Sequence, residues 1–176
     1  MAYAVVIYFE EKSVQPIIEI WKTLKNEGII QSLYPNGILP HLTLGIFDSL
    51  DCEACQCEIK TLASEISIKS ISANHFGIFP NPTPIIFIAP ATNYALIDLQ
   101  KRTHHILQKY ITGSWIIYEP RNWVPHCTLA SNIARSDLQK ALDICMQLKL
   151  PAELKTAKIG IVDFEPKKPI FSVPTG

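Results

Sequence analysis

One tetrapeptide pattern occurs twice in this chain, and the stretch around it repeats as well. His41-Leu42-Thr43-Leu44 and His126-Cys127-Thr128-Leu129 both read His-apolar-Thr-Leu, and each follows a proline, Pro40 or Pro125. Each copy lies in a stretch that reads as a strand. On a strand alternate side chains share a face, so His and Thr two apart stand together while the Leu residues point to a core. The histidines are 85 positions apart (126 − 41), and so are the threonines. The same offset carries a helix expected near Asp51 onto one expected near Ser136. Strand, helix, motif strand, helix, strand therefore occurs twice, the halves spanning about 1–80 and 84–176 and meeting at the turn Asn81-Pro82-Thr83-Pro84. Such a repeat favours two lobes related by a pseudo-twofold axis, with the motif strands facing each other across a cleft.

Local patterns fill in the elements. Tyr3 to Phe9 is rich in Val, Ile and aromatics and predicts a strand. Val14, Ile17, Ile18, Trp21 and Leu24 form a helical stripe that Ser13 caps and Gly28 ends. The motif strands are expected over His41 to Phe47 and Trp123 to Ala130. Ile66 to Ile71 alternates and predicts a strand running toward Phe79; Ile85 to Ala89 reads as a buried strand. Thr92 is the expected cap of a helix carrying Tyr94, Leu96, Ile97, Leu99 and Ile106, which Gly113 ends. A further helix carries Leu138, Ala141, Leu142 and Cys145 up to Pro151, and strands follow over Leu154 to Phe164 and Ile170 to Val173. The expected fold is α+β, two lobes of mostly antiparallel sheet with helices outside, within a single domain over 1–176.

Two His-Thr pairs around one small anion suit acid–base attack on a phosphodiester. An imidazole with an ordinary pKa of about 6.5 serves as base or acid near neutrality. One on each side of phosphorus permits in-line displacement, and two hydroxyls can donate to the nonbridging oxygens. Neither motif contains Asp or Glu, so no metal or other cofactor is expected. A single His-x-Thr is more often a satisfied polar pair in a core; two copies in matched surroundings favour a site.

On these motifs the sequence resembles the two-histidine (2H) phosphoesterases, which include 2'-5' RNA ligase-like proteins and cyclic nucleotide phosphodiesterases. Their hallmark is two H-x-[ST]-apolar motifs in a domain of about this size. The resemblance extends over nearly the whole chain, including His75-Phe76-Gly77-Ile78-Phe79-Pro80 and the apolar run Pro84 to Pro90 at its centre. It implies the same division of labour, with His41, Thr43, His126 and Thr128 as the catalytic set. One feature departs from the pattern: some members carry a basic residue just after the second motif, where this chain has Ala130-Ser131-Asn132. The implied reaction is metal-independent cleavage of a 2',3'-cyclic phosphate or 2'-5' linkage, at an RNA end or in a small nucleotide. Two other readings stand beside it: a non-catalytic nucleotide- or RNA-end-binding module with the same cleft, and a metal-dependent hydrolase with His and Cys ligands.

Weaker candidates surround the motifs. Tyr34, Tyr118 and Trp123 are aromatics placed to stack on a base, and Arg121 is placed to meet a phosphate. His75 is expected to be structural, His104 and His105 to be ordinary helix residues, and Lys167-Lys168 to form a solvated turn. Cys52, Cys55 and Cys57 lack a second cysteine pair at zinc spacing and are expected to be reduced thiols. The 176 residues carry no net charge, which argues against holding long nucleic acid by charge but leaves room for a short nucleotide end. No apolar run reaches the roughly 18 residues of a membrane span, and the apolar start lacks a basic leader; a cytoplasmic monomer is the expectation.

Overall fold

A computed structural model describes residues 2–31, 37–164 and 167–176. Eight strands and four α-helices are described: β1 Tyr3–Phe9, α1 Glu11–Asn26, β2 His41–Leu50, α2 Gln56–Ser64, β3 Ser70–Phe79, β4 Ile85–Pro90, α3 Tyr94–Leu107, β5 Ile111–Ser114, β6 Cys127–Ala130, α4 Leu138–Cys145, β7 Ala152–Phe164 and β8 Lys167–Pro174. Short 3-10 turns cover Ile116–Tyr118 and Arg135–Asp137. The strands form an open antiparallel sheet in the order β5-β2-β1-β7-β3-β4-β6, with β8 also on β7. The protein is α+β.

The order contains the repeat in an exchanged form. β1 pairs with its own motif strand β2 and with β7, the last long strand of the second half. β4 pairs with its own motif strand β6 and with β3, the last strand of the first half. Each half thus lends its final strand to the sheet of the other. β3 meets β7 only over Ser70 to Ala73, opposite Lys155 to Ala152. Beyond that, β7 pairs with β8 while β3 runs on with β4. The sheet therefore divides at β7. Its two ends turn toward each other, and Cα atoms of β2 and β6 come within 8 Å without pairing.

Both faces of the central strands are buried, which explains the unbroken apolar run of β1. Val5, Ile7 and Phe9 belong to the main core, with Val14, Ile17, Trp21 and Leu24 of α1, Ile59 and Leu62 of α2, Leu96 and Leu99 of α3, and Ile144 of α4. Ala4, Val6 and Tyr8 belong to a smaller cluster with Ile38, Ile46 and Val162, to which no α-helix contributes among the described residues. The helices cover one face. The other face is left for the site.

Several boundaries differ from the sequence reading. α1 begins at Glu11, before Ser13, whose hydroxyl donates to the Glu10 carbonyl. Asn93 rather than Thr92 caps α3: its Oδ1 accepts from the Leu96 amide at 2.9 Å. Tyr94 is exposed, and the buried stripe is Leu96, Leu99, Gln100, Thr103 and Leu107. Asp137 precedes α4 without a side-chain cap, so Ser136 does not cap it. Residues 66–69 are not strand, because β3 first finds a partner at Ser70. β5 was not expected, since the helix was expected to run to Gly113; α3 ends at Leu107 and Gly113 lies inside β5. Gly113 does have φ +69°, and a Cβ there would lie 2.0 Å from Asp48 Oδ2.

Candidate active site

Each motif strand carries a β-bulge at the Leu of its motif. Val6 pairs with Thr43 and Val5 with Gly45, leaving Leu44 over. Phe87 pairs with Thr128 and Ile86 with Ala130, leaving Leu129 over. A bulge adds one residue and reverses the inside–outside alternation beyond it. Before Leu44, His41 and Thr43 share the face of Tyr8 and Val6. After it, Ile46 joins the small cluster on that face while Phe47 enters the main core. Without the extra residue Phe47 would lie on the face of the histidine. The bulges are 85 positions apart, as the histidines are.

The two imidazoles are held alike. His41 Nδ1 lies 2.8 Å from the Leu39 carbonyl, and His126 Nδ1 lies 2.7 Å from the Val124 carbonyl. A carbonyl only accepts, so Nδ1 carries the hydrogen in each ring and Nε2 keeps the lone pair when the ring is neutral. Both are two residues after the carbonyl they bond, with proline between. Pro40 and Pro125 fix their own φ and hold the preceding residue extended. This also shortens the second motif strand: β6 starts at Cys127, so His126 stands just before it.

The rings lie near enough for His41 to feel the charge of His126. Burial pushes His41 down to about 4, aided by the positive charges of Lys167 and His126 and opposed by the bond to Leu39. Burial also lowers His126, opposed by its bond to Val124. Aromatic rings crowd His126: Phe79 at 5.0 Å, Phe87 at 5.3 Å and Tyr118 at 6.3 Å between centroids. The edge of Tyr8 meets His41 at 6.0 Å. Thr43 is buried and Thr128 half-buried.

The segment before the second motif is tied to the first. Trp123 Nε1 donates to the Thr43 carbonyl at 3.0 Å. Burial pushes Tyr118 up to about 12, opposed by the neighbouring Thr43 side chain. The structure thus brings His41, Thr43, His126, Thr128, Tyr118 and Trp123 together. Arg121 stands apart, exposed and 3.5 Å from Glu119. Tyr34 lies outside the described residues. His75 is exposed on β3 and bonds Asn74, and His105 is exposed on α3.

Two expectations need correction. His104 is not remote from the motifs: its Nε2 lies 3.2 Å from the Leu44 carbonyl. Gln100, one turn earlier, is fully buried and donates from Nε2 to the same carbonyl at 3.1 Å and to the Tyr118 carbonyl at 2.8 Å. The signal was a glutamine on the apolar stripe of a helix, where a buried amide needs partners; its Nε2 finds two, while its Oε1 finds none among the described residues. Lys167 is exposed, as expected, but stands on a strand and not in a turn. It opens β8 opposite Phe164, its ammonium lies 5.0 Å from that ring, and its charge acts on His41.

Among the described residues, no three His, Cys, Asp or Glu side chains converge as a metal site requires. Cys52 is half-buried, Cys55 buried and Cys57 exposed, all free thiols. No helix among the described residues is long and apolar enough to cross a membrane.

Known proteins share this architecture. A crystal structure described only as a phosphoesterase matches with a TM-score of 0.60 and 13% identity, over 98% of this chain and 97% of that one. E. coli LigT in complex with 3'-AMP matches with 0.61 and 12%, over the same shares. Usb1 of Kluyveromyces marxianus, solved also with uridine monophosphate, matches with 0.50 and 12%, again over 98% and 97%. At such identity these likenesses concern the fold. No curated protein sequence matches significantly. The sequence profile of the 2'-5' RNA ligase superfamily matches residues 14–167. That span holds both His-x-Thr-Leu motifs and covers most of the chain, which therefore belongs to the 2'-5' RNA ligase superfamily of 2H phosphoesterases.

Proposed function

We propose that this protein is a metal-independent phosphoesterase that hydrolyses a 2',3'-cyclic phosphate or 2'-5' phosphodiester at an RNA end or in a small nucleotide. The observation that carries the reading is the matched pair of imidazoles, each fixed through Nδ1 and each left with Nε2 for proton transfer. In hydrolysis, one neutral Nε2 takes a proton from water as its oxygen attacks phosphorus. The other ring, protonated, gives its Nε2 proton to the departing ribose oxygen. The Thr43 and Thr128 hydroxyls donate to the nonbridging oxygens, where negative charge grows. Tyr118 stands next to the Thr43 side chain in the free site. Tyr118 and Trp123 supply aromatic surface beside the phosphate for a base.

The related structures bear on the substrate class: LigT was solved with 3'-AMP and with ATP, Usb1 with uridine monophosphate. A zero net charge suits a mononucleotide or a short end better than a long strand.

The test is a panel of 2',3'-cyclic nucleotides, 2'-5' dinucleotides and cyclic-phosphate-ended RNA, run with strong chelator present. Turnover should persist in chelator, and His41→Ala or His126→Ala should each cost about 10²–10⁴-fold. Thr43→Ala or Thr128→Ala should cost about 10³-fold or less. Undiminished turnover by the double histidine variant would make the motifs structural. Tight nucleotide binding without turnover of any panel member would favour the binding-module reading.

A further inference from the structure

The two copies of the motif are not held equally. A bulge frees a backbone carbonyl from the ladder, and a buried carbonyl without a donor is costly. At Leu44 that carbonyl is met twice from α3, by Gln100 Nε2 at 3.1 Å and by His104 Nε2 at 3.2 Å. The same Gln100 Nε2 reaches the Tyr118 carbonyl at 2.8 Å. One amide group thus ties the residue after Thr43 to the turn carrying Tyr118, whose ring lies 6.3 Å from that of His126. Gly45 gives His104 its room: a Cβ there would lie 2.9 Å from His104 Nε2. The positions 85 residues earlier on α1 are Gln15 and Glu19. They are exposed and bond one another at 2.8 Å, away from the second motif.

We propose that Gln100 and His104 are positioning residues: from α3 they fix the first motif's bulge and the Tyr118 turn, and so aim the Thr43 hydroxyl at the phosphoryl group and set the Tyr118 ring beside it. This rests on the phosphoesterase reading above. Neither side chain touches substrate; both act through Thr43 and Tyr118. Orientation of this kind favours the transition state over the ground state, so its loss lowers kcat more than it raises KM.

The test compares Gln100→Met, which keeps the shape and removes the amide donors, with His104→Leu and His104→Gln, on a 2',3'-cyclic nucleotide that the wild type hydrolyses. Gln100→Met and His104→Leu should each lower kcat by about 10–100-fold with KM changed less than about threefold. His104→Gln keeps an N–H donor and should recover much of the loss. On a Thr43→Ala background, Gln100→Met should cost far less than on wild type, because the group it aims is gone. A purely structural role would lower thermal stability alike in both backgrounds and leave kcat per folded molecule unchanged. That result, or equal losses in both backgrounds, overturns the proposal. If Gln100→Met does not fold, the two His104 variants decide by the same criteria. If the wild type turns over no panel member, the functional reading fails instead. The clamp is then judged by NMR: His104→Leu should shift the Gly45 and Glu119 amides and broaden the Thr43 methyl, and an unchanged Thr43 methyl overturns it.

Discussion

His41 and His126 share a hydrogen-bond pattern but not a neighbourhood. Lys167 adds positive charge beside His41, whereas His126 sits among Phe79, Phe87 and Tyr118. Acid–base action by a histidine pair needs one ring neutral and one protonated. In the free enzyme that form is most populated between the two pKa values, about 4 for His41 and a value below 6.5 for His126. The kcat/KM profile should therefore be a bell centred on the acid side of pH 6.5. A bound phosphate's negative charge favours the protonated rings, so the kcat profile should lie at higher pH. An optimum of kcat/KM above pH 7.5 would contradict this. The residues proposed to carry protons and hold the phosphate could be picked out in the sequence because His and Thr sit two apart in each motif. Tyr8 and Lys167 were not, since only strand pairing brings their elements to that face.

At the level of elements, the bulges decide which way side chains point, and a bulge cannot be read from one strand alone. It is a mismatch of count between two strands, set by pairing partners distant in sequence. The reading of β2 as a simple alternation therefore placed His41 and Thr43 correctly but could not place Phe47. Gly45 shows how tightly the bulge is packed: a Cβ there would meet Phe47 Cζ at 2.7 Å and His104 Nε2 at 2.9 Å. Gly45→Ala should cost about 1–3 kcal/mol in chemical denaturation, as overpacking does, with a drop in kcat because His104 is displaced. On the opposite strand pair, a Cβ at Gly77 would lie 2.2 Å from Phe87 Cζ. Gly77→Ala should drive the Phe87 ring toward His126 and lower activity more than stability. The second motif strand is four residues rather than the eight expected. Pro125 offers no N–H to a ladder, and the chain before it is anchored by the Trp123 ring instead.

For the molecule as a whole, the half-buried histidines set how stability follows pH. The folded pKa values of His41, His126 and His104 all lie below the ordinary 6.5, chiefly through burial. Below 6.5 the unfolded chain binds more protons than the folded one, so stability is full above that pH and declines as pH falls through 6.5 toward 4. Melting temperature should fall over that window, and less steeply in the His41→Ala, His126→Ala variant. A second expectation follows from the repeat, which the sequence displays as two consecutive halves. Connectivity links those halves, because β3 and β7 each complete the sheet containing the other half's first strand. Cleaving the backbone at Thr83 should leave two fragments that are each unfolded when alone and regain structure and any activity on mixing. Independent folding of residues 1–80 would contradict this. The arrangement is that of two interlocked partners joined end to end. Neither half can drift, loosen or be lost without dismantling the sheet that presents the other's histidine, so the spacing between the two imidazoles is guarded by the same contacts that make the chain fold.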